Sequence, residues 1–294
     1  GMSTGRPLHL HLGLRFATIF DSQVSSRAAG FLEEIEHLGD KFNIPLYWNF
    51  PTAPVLEKQS RKTAKLIEAI RRRVGSAQDR IVPCGFSAAA HPLLLPEELQ
   101  RELSWCYRNP WFPALKNLFD ARPEAIVPVH PDLYSEAAEN AYSRQGFNVI
   151  GIPIPLYRLR PPQGKNRWTE LRALAASDFS IRGAASNAKL RPIALLRPEE
   201  VTEEGINTVL SACGSEDALY LMVDLSDGLP SGDSAGSGVA QSLLRLLSRH
   251  RRTEFHPFSV EPRKPAPTPI DSAELMKFVE PVGRCPERGT WDRV

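Results

Sequence analysis

The stretch LHLHLGL, residues 8–14, alternates leucines with other residues. A two-residue period predicts a strand with its leucines on one face and His9, His11 and Gly13 on the other. Beyond it the chain repeats one unit: a short apolar strand, a polar turn and an amphipathic helix. Further strands are predicted at 43–49 (NIPLYWN), 80–85 (RIVPCG), 124–130 (EAIVPVH), 147–154 (FNVIGIPI), 190–196 (LRPIALL) and 218–225 (ALYLMVDL). Helices are predicted near 25–38, 54–74, 96–107, 131–146, 167–176, 198–213 and 239–250. That at 96 opens Pro96-Glu97-Glu98, with proline in the first turn and acids at the positive end of the helix dipole. A final short strand is predicted over 255–260, and PRKPAPTP at 262–269 reads as an extended surface segment.

Strands alternating with helices predict a mostly parallel sheet, either closed as a barrel or open and doubly wound. The turn after the first strand reads Gly13-Leu14-Arg15-Phe16, not GxGxxG, and there is no P-loop. The fold class expected is therefore α/β, an irregular (β/α)7 TIM-like barrel. The barrel is expected over 8–260, preceded by a tail at 1–7 that reads as a tag remnant. A proline-rich C-terminal extension, 261–294, is expected to pack on it.

The composition of the 294 residues, 42% hydrophobic and 24% charged, allows a substantial core. A formal net charge of +2 gives no case for nucleic acid, and Arg71-Arg72-Arg73 reads as a solvated helix end. No apolar run reaches the roughly 18 residues of a membrane span, and no signal peptide is read. Cys84, Cys106, Cys213 and Cys285 form no CxxC pair, so reduced, buried thiols and a cytoplasmic location are expected.

Ligands of such barrels bind at the C-terminal ends of the strands, and unusual polar residues gather near those ends. His9 and His11 point inward if the leucines meet the helices. His91 lies in the small-residue loop after the third strand. His130 and Asp132 close the fourth strand and enter the next helix, where Asp132 is either an N-cap or an acid/base group. Asp224 ends a buried strand, where a carboxylate is costly unless paired, hydrogen-bonded or exposed at a site. Asp227 precedes Gly228 and serves a turn or the site. Trp48 and Trp111 are either core or apolar walls for a sugar ring; Tyr47 and Asn49 face away from Trp48. Neither GxSxG nor HExxH occurs, which speaks against serine hydrolases and ordinary metallopeptidases.

Four features carry a family resemblance: His9-Leu10-His11, the loop Gly85 to His91, the helix Glu102-Leu103-Ser104-Trp105 leading to Asn109-Pro110-Trp111, and a late strand ending in Asp224. With them the chain resembles the glycoside hydrolase/deacetylase superfamily, near the family 57 glycosidases and the polysaccharide-deacetylase-like proteins. The resemblance implies cleavage of glycosidic bonds or removal of N- or O-acetyl groups from sugars. It implies that His11 and His91 line the sugar pocket or bind a divalent metal, and that Asp224 matches the glycosidases' general acid. Two departures stand out. The glycosidase nucleophile is a glutamate at the tip of strand four, where this chain has Pro128-Val129-His130. The deacetylases' aspartate pair after strand one and their HxxxH pair are missing, with Asp21 the nearest substitute.

The histidine-rich, glutamate-poor set makes metal-assisted deacetylation the first expectation. Its catalytic residues would be Asp224, His11, His91 and Asp132, with zinc first among the metals held by His11, His91 and Asp132. His9, Trp48, His130, Trp111 and Asp227 would contact substrate. Glycosidic-bond hydrolysis by Asp224 with Asp132 is the second expectation. The alternative is a non-catalytic protein on the same barrel that binds a carbohydrate or small metabolite.

Overall fold

In the computed structural model, strand β1 (Leu8–Arg15) lies at the centre of a curled parallel sheet. The structure describes residues 8–15, 40, 43–52, 61–76, 78–87, 89–111, 114–129, 136–156, 163–164, 167, 177–197, 200–202, 204, 218–225, 253–261, 266–271 and 274. On one side of β1 run β2 (Leu46–Asn49) and β3 (Arg80–Ile81). On the other run β8 (Ala218–Asp224), β7 (Lys189–Leu196), β5 (Val149–Pro155) and β4 (Ala125–Ile126). These seven strands are all parallel. One backbone hydrogen bond, Val127 N–H to the Pro83 carbonyl at 3.0 Å, joins the regions just beyond the edge strands β3 and β4. The result is an irregular (β/α)7-type half-barrel, as the strand–helix alternation predicts.

The alternation in β1 sets its layers. Leu10, Leu12 and Leu14 face outward into a large core with Trp48 and with the helices α1 (Arg61–Gly75), α2 (Pro96–Tyr107), α3 (Leu115–Phe119) and α4 (Glu136–Arg144). Within α2, Leu99, Glu102, Leu103 and Cys106 are buried at helical spacing, and the Glu98 carboxylate accepts the Leu95 N–H at 3.0 Å. The inward faces make a smaller apolar cluster of Tyr47, Val82, Val127, Val149, Ile193, Leu195, Tyr220, Met222 and Phe258.

Two gaps open at the N-terminal side of the sheet, and short strands fill them. Pairing of β2 with β1 begins only at Leu12, so β9 (Thr253–Phe255) pairs with Leu8, His9 and Leu10. Pairing of β8 with β7 begins only at Ala194, so β6 (Phe179–Ile181) meets Leu190 antiparallel, and β10 (Thr268–Ile270) pairs with β6. The proline-rich stretch read as a surface segment thus supplies an edge strand, where Pro269 is tolerated. The helices expected near 25–38 and 239–250, and most of those near 167–176 and 198–213, lie outside the described residues, as does the 226–238 loop.

The basic run at the end of α1 departs from the expected solvated face. Arg73 is fully buried. Its guanidinium donates to Asp79 at 2.7 and 2.9 Å, to Asp40 at 2.6 Å and to the Ile44 carbonyl at 2.6 Å. Asp79 also accepts the Leu46 N–H at 2.9 Å and the Trp48 indole N–H at 2.6 Å, so one ion pair fixes α1, β2 and the start of β3. Sequence alone does not separate Arg73 from Arg71 and Arg72, because Asp79 meets it only when the turn after α1 folds back, and Asp40 and Ile44 precede it by 33 and 29 residues. Arg73→Met leaves Asp79 buried without its counter-ion, and we expect equilibrium denaturation to show a loss of about 3–5 kcal/mol. An unchanged midpoint would refute the network's role.

Candidate functional site at the C-terminal mouth

Because the seven strands are parallel, their C-terminal ends form one rim. The inward residues of β1 climb towards it in the order His9, His11, Gly13, Arg15. At Gly13 any side chain is excluded: a Cβ would lie 2.1 Å from the Tyr47 ring, which crosses the strand here and whose hydroxyl donates to the Leu221 carbonyl at 2.7 Å. Above that ring, Arg15 is 2% exposed.

The Arg15 guanidinium donates to Asn49 Oδ1 at 2.7 Å and to the Val127 and Pro128 carbonyls at 3.2 and 2.6 Å. Asn49 donates in turn to the Val82 and Val127 carbonyls at 2.7 and 3.2 Å. The paired parts of β3 and β4 are short, so carbonyls just past them lack ladder partners, and Arg15 and Asn49 supply the donors. Asp224 is the cross-strand partner of Arg15 at the end of β8. Burial lowers the Arg15 pKa from its usual value while attraction to Asp224 opposes the shift, and a guanidinium remains charged in either case. The rim thus presents a fixed cation beside a partly exposed carboxylate.

A second polar cluster lies between the loop after β3 and helices α2 and α4. Glu102 accepts Ser87 N–H at 2.6 Å and Ser87 Oγ–H at 3.0 Å. His91 Nε2 stands 3.7 Å from Glu102, and His91 Nδ1 bonds the Tyr142 hydroxyl at 2.7 Å. A Cβ on Gly85, whose φ is +122°, would approach both Glu102 and His91 to 2.8 Å, so the loop requires glycine twice over. The serine proton points to a carboxylate and not to the histidine, which is not the order of a nucleophile–base pair.

A third cluster lies at the opposite, N-terminal side of the sheet. His9 Nδ1 is 2.8 Å from His256 Nε2, and Glu254 Oε2 lies 3.7 Å from the first and 3.5 Å from the second. Among the described residues these three are the group able to hold a metal ion.

The residues predicted from sequence therefore divide among separate places. Asp224 is at the rim. His11 is mid-strand, below Tyr47 and Gly13, because β1 continues to Arg15; it is stacked on Tyr220 with centroids 4.1 Å apart, and its Nδ1–H donates to the Pro257 carbonyl at 2.8 Å. His91 belongs to the Glu102 cluster, so His11 and His91 do not share a site. Trp48 is no sugar wall: it faces the helices, fully buried, and bonds Asp79. Trp111 is 71% exposed and packs edge-on against Trp105. His130, Asp132 and Asp227 lie outside the described residues. Sequence reasoning passed over Arg15, although it continues the alternation that singled out His9 and His11. It also passed over Glu254, two residues from His256 on a short strand.

No family model and no curated protein matches the sequence. Solved structures do match the fold. The chain superposes on a 4-alpha-glucanotransferase from Thermococcus litoralis with a TM-score of 0.61 at 9% identity, covering 92% of this chain and 40% of that one. A protein from Mycobacterium smegmatis assigned as a polysaccharide deacetylase gives 0.55 at 10% identity, covering 95% and 92% of the two chains. One from Parabacteroides distasonis, assigned as a glycoside hydrolase/deacetylase, gives 0.54 at 11% identity, covering 94% and 71%. The chain thus has the fold shared by deacetylases and family 57-like glycosidases, and it spans less than half of the glucanotransferase.

Behind the rim, burial pushes the Cys84 thiol up to about 12, with Arg15 opposing, and raises Cys106 further. Both stay protonated at neutral pH and are shielded. Peptide-level mass spectrometry after a maleimide pulse should find Cys84 and Cys106 unlabelled in the native protein and labelled in denaturant. Rapid native labelling of Cys84 would place it on an open surface and contradict this packing.

Proposed function

We propose that this chain is a carbohydrate-directed hydrolase whose substrate sits across the C-terminal rim, and that it removes an acetyl group from a sugar in preference to cutting a glycosidic bond. The observation that carries the reading is the pairing of Asp224 with Arg15 at the strand ends, where this fold class places its chemistry. Among the described residues of the rim, the strand ends carry one carboxylate, and the tip of β4 offers carbonyls already bound by Arg15. Glycoside hydrolysis requires two carboxylates across the bond. Hydrolysis of an acetyl ester or amide needs one base and a positive field.

In that reaction Asp224 takes a proton from water as the water oxygen bonds the acetyl carbon, and the carbonyl electron pair moves onto its oxygen. The positive field of Arg15 favours the resulting oxyanion. Collapse breaks the bond to the sugar oxygen or nitrogen, which regains the proton from Asp224. The products are acetate and a free hydroxyl or amine. His11 and His91 have separate partners and do not fit one shared ion.

A second reading is favoured by one observation. Arg15 is held by Asn49 and two carbonyls as a structural cap, which suits a rim that binds a carbohydrate or small metabolite without turning it over. Acetate release from acetylated xylo- and chito-oligosaccharides, measured with Asp224→Asn beside the wild type, separates the two. Deacetylation predicts wild-type release and a fall in kcat/KM of about 10²–10⁴-fold in the variant, with the fold intact. Release unaffected by the substitution would refute the role of Asp224. Saturable binding with no release would establish the second reading.

A further inference from the structure

We infer that His9, Glu254 and His256 form a divalent-metal site of structural character on the N-terminal face, clamping β9 to β1. The ligands come from two neighbouring parallel strands in fixed register: His9 is the cross-strand partner of Glu254, and His256 N–H donates to the Leu10 carbonyl at 2.9 Å. Glu254 and His256, two residues apart, share a face with His9. The donor atoms form a triangle with edges of 2.8, 3.5 and 3.7 Å. A triangle of those edges has a circumradius of about 2.0 Å, which matches Zn–N and Zn–O bond lengths. One point in the plane of the three atoms is therefore at bonding distance from each, and a small widening of the 2.8 Å edge gives the tetrahedral arrangement zinc favours. Two imidazoles and a carboxylate suit a borderline transition metal such as zinc, and solvent supplies the remaining position.

Supporting contacts hold one of the ligands. The His11 Nδ1–H bond to the Pro257 carbonyl fixes the backbone beside His256, and the His11 ring lies 5.8 Å from that of His256. His11 is thus a positioning residue and not a ligand. All three ligand side chains are partly exposed, so an ion reaches them from solvent. The site lies on the face opposite the rim, where a barrel's stability and not its catalysis resides. It is independent of the proposed reaction.

Without metal, the 2.8 Å contact is a hydrogen bond between the two imidazoles. The test uses the full chain stripped with chelator, then dialysed against Zn²⁺ and, separately, Co²⁺. The expected result is one bound equivalent, a raised Tm, and visible Co²⁺ absorption of a low-coordinate site. Glu254→Gln, nearly isosteric at an exposed position, and His256→Ala should each weaken binding at least tenfold, while His91→Ala leaves it unchanged. A wild type that retains no stoichiometric metal, or variants that bind as the wild type does, would overturn the site. Neither result bears on Asp224.

Discussion

The guanidinium of Arg191, fully buried inside the curled sheet, organises its lower half. It binds Asp178 through two bonds of 3.0 Å, the Tyr220 hydroxyl at 3.0 Å, and the carbonyls of Ser259 and Glu261. Its charge also lies 4.6 Å from the Tyr220 ring centroid. A buried cation left short of acceptors would cost several kcal/mol, so the segment after β9 must enter the sheet and present its carbonyls. Phe258 follows it in and packs edge-on against Tyr47 and Tyr220. The segment 256–261 is therefore a plug, and its placement brings His256 beside His9.

A second buried guanidinium, Arg15, lies at the upper rim. Arg15 repeats there the logic of Arg191: a buried guanidinium satisfies carbonyls that strand pairing leaves open. The difference lies in the neighbouring carboxylate. Asp178 is fully buried against its arginine, whereas Asp224 keeps some exposure at the strand end. The two buried guanidiniums thus differ in their carboxylates, one sealed and the other partly exposed. The likeness to solved structures, at identities of 9–11%, is one of fold, and the reaction is argued from these residues.

Much of the architecture is legible in the sequence because it is local. The strict alternation of β1, the apolar run of β8 and the Pro96-Glu97-Glu98 start of α2 each carry a period or a cap. The strand expected over 255–260 is displaced to β9 at Thr253–Phe255, and β6 and β10 carry neither signal; these short strands exist because parallel pairing starts late on β1 and β7, which is a property of register. The same register decides that His9, and not His11, joins Glu254 and His256. Asp224 was readable from the cost of a carboxylate after a buried run. Arg15 was readable in principle from parity with His9 and His11. The isolation of His91 from His11 was not, because it depends on which side of the sheet the loop after β3 packs.

The central claim is that a carbohydrate binds over the C-terminal ends of β1, β2 and β8. The most direct measurement is a crystal structure of the Asp224→Asn variant soaked with an acetylated oligosaccharide. The account predicts a sugar across the rim with its acetyl group beside residue 224 and within reach of the Arg15 charge. A sugar bound in the groove of His91, Leu94 and Gln100 against α4, with the rim empty, would contradict it.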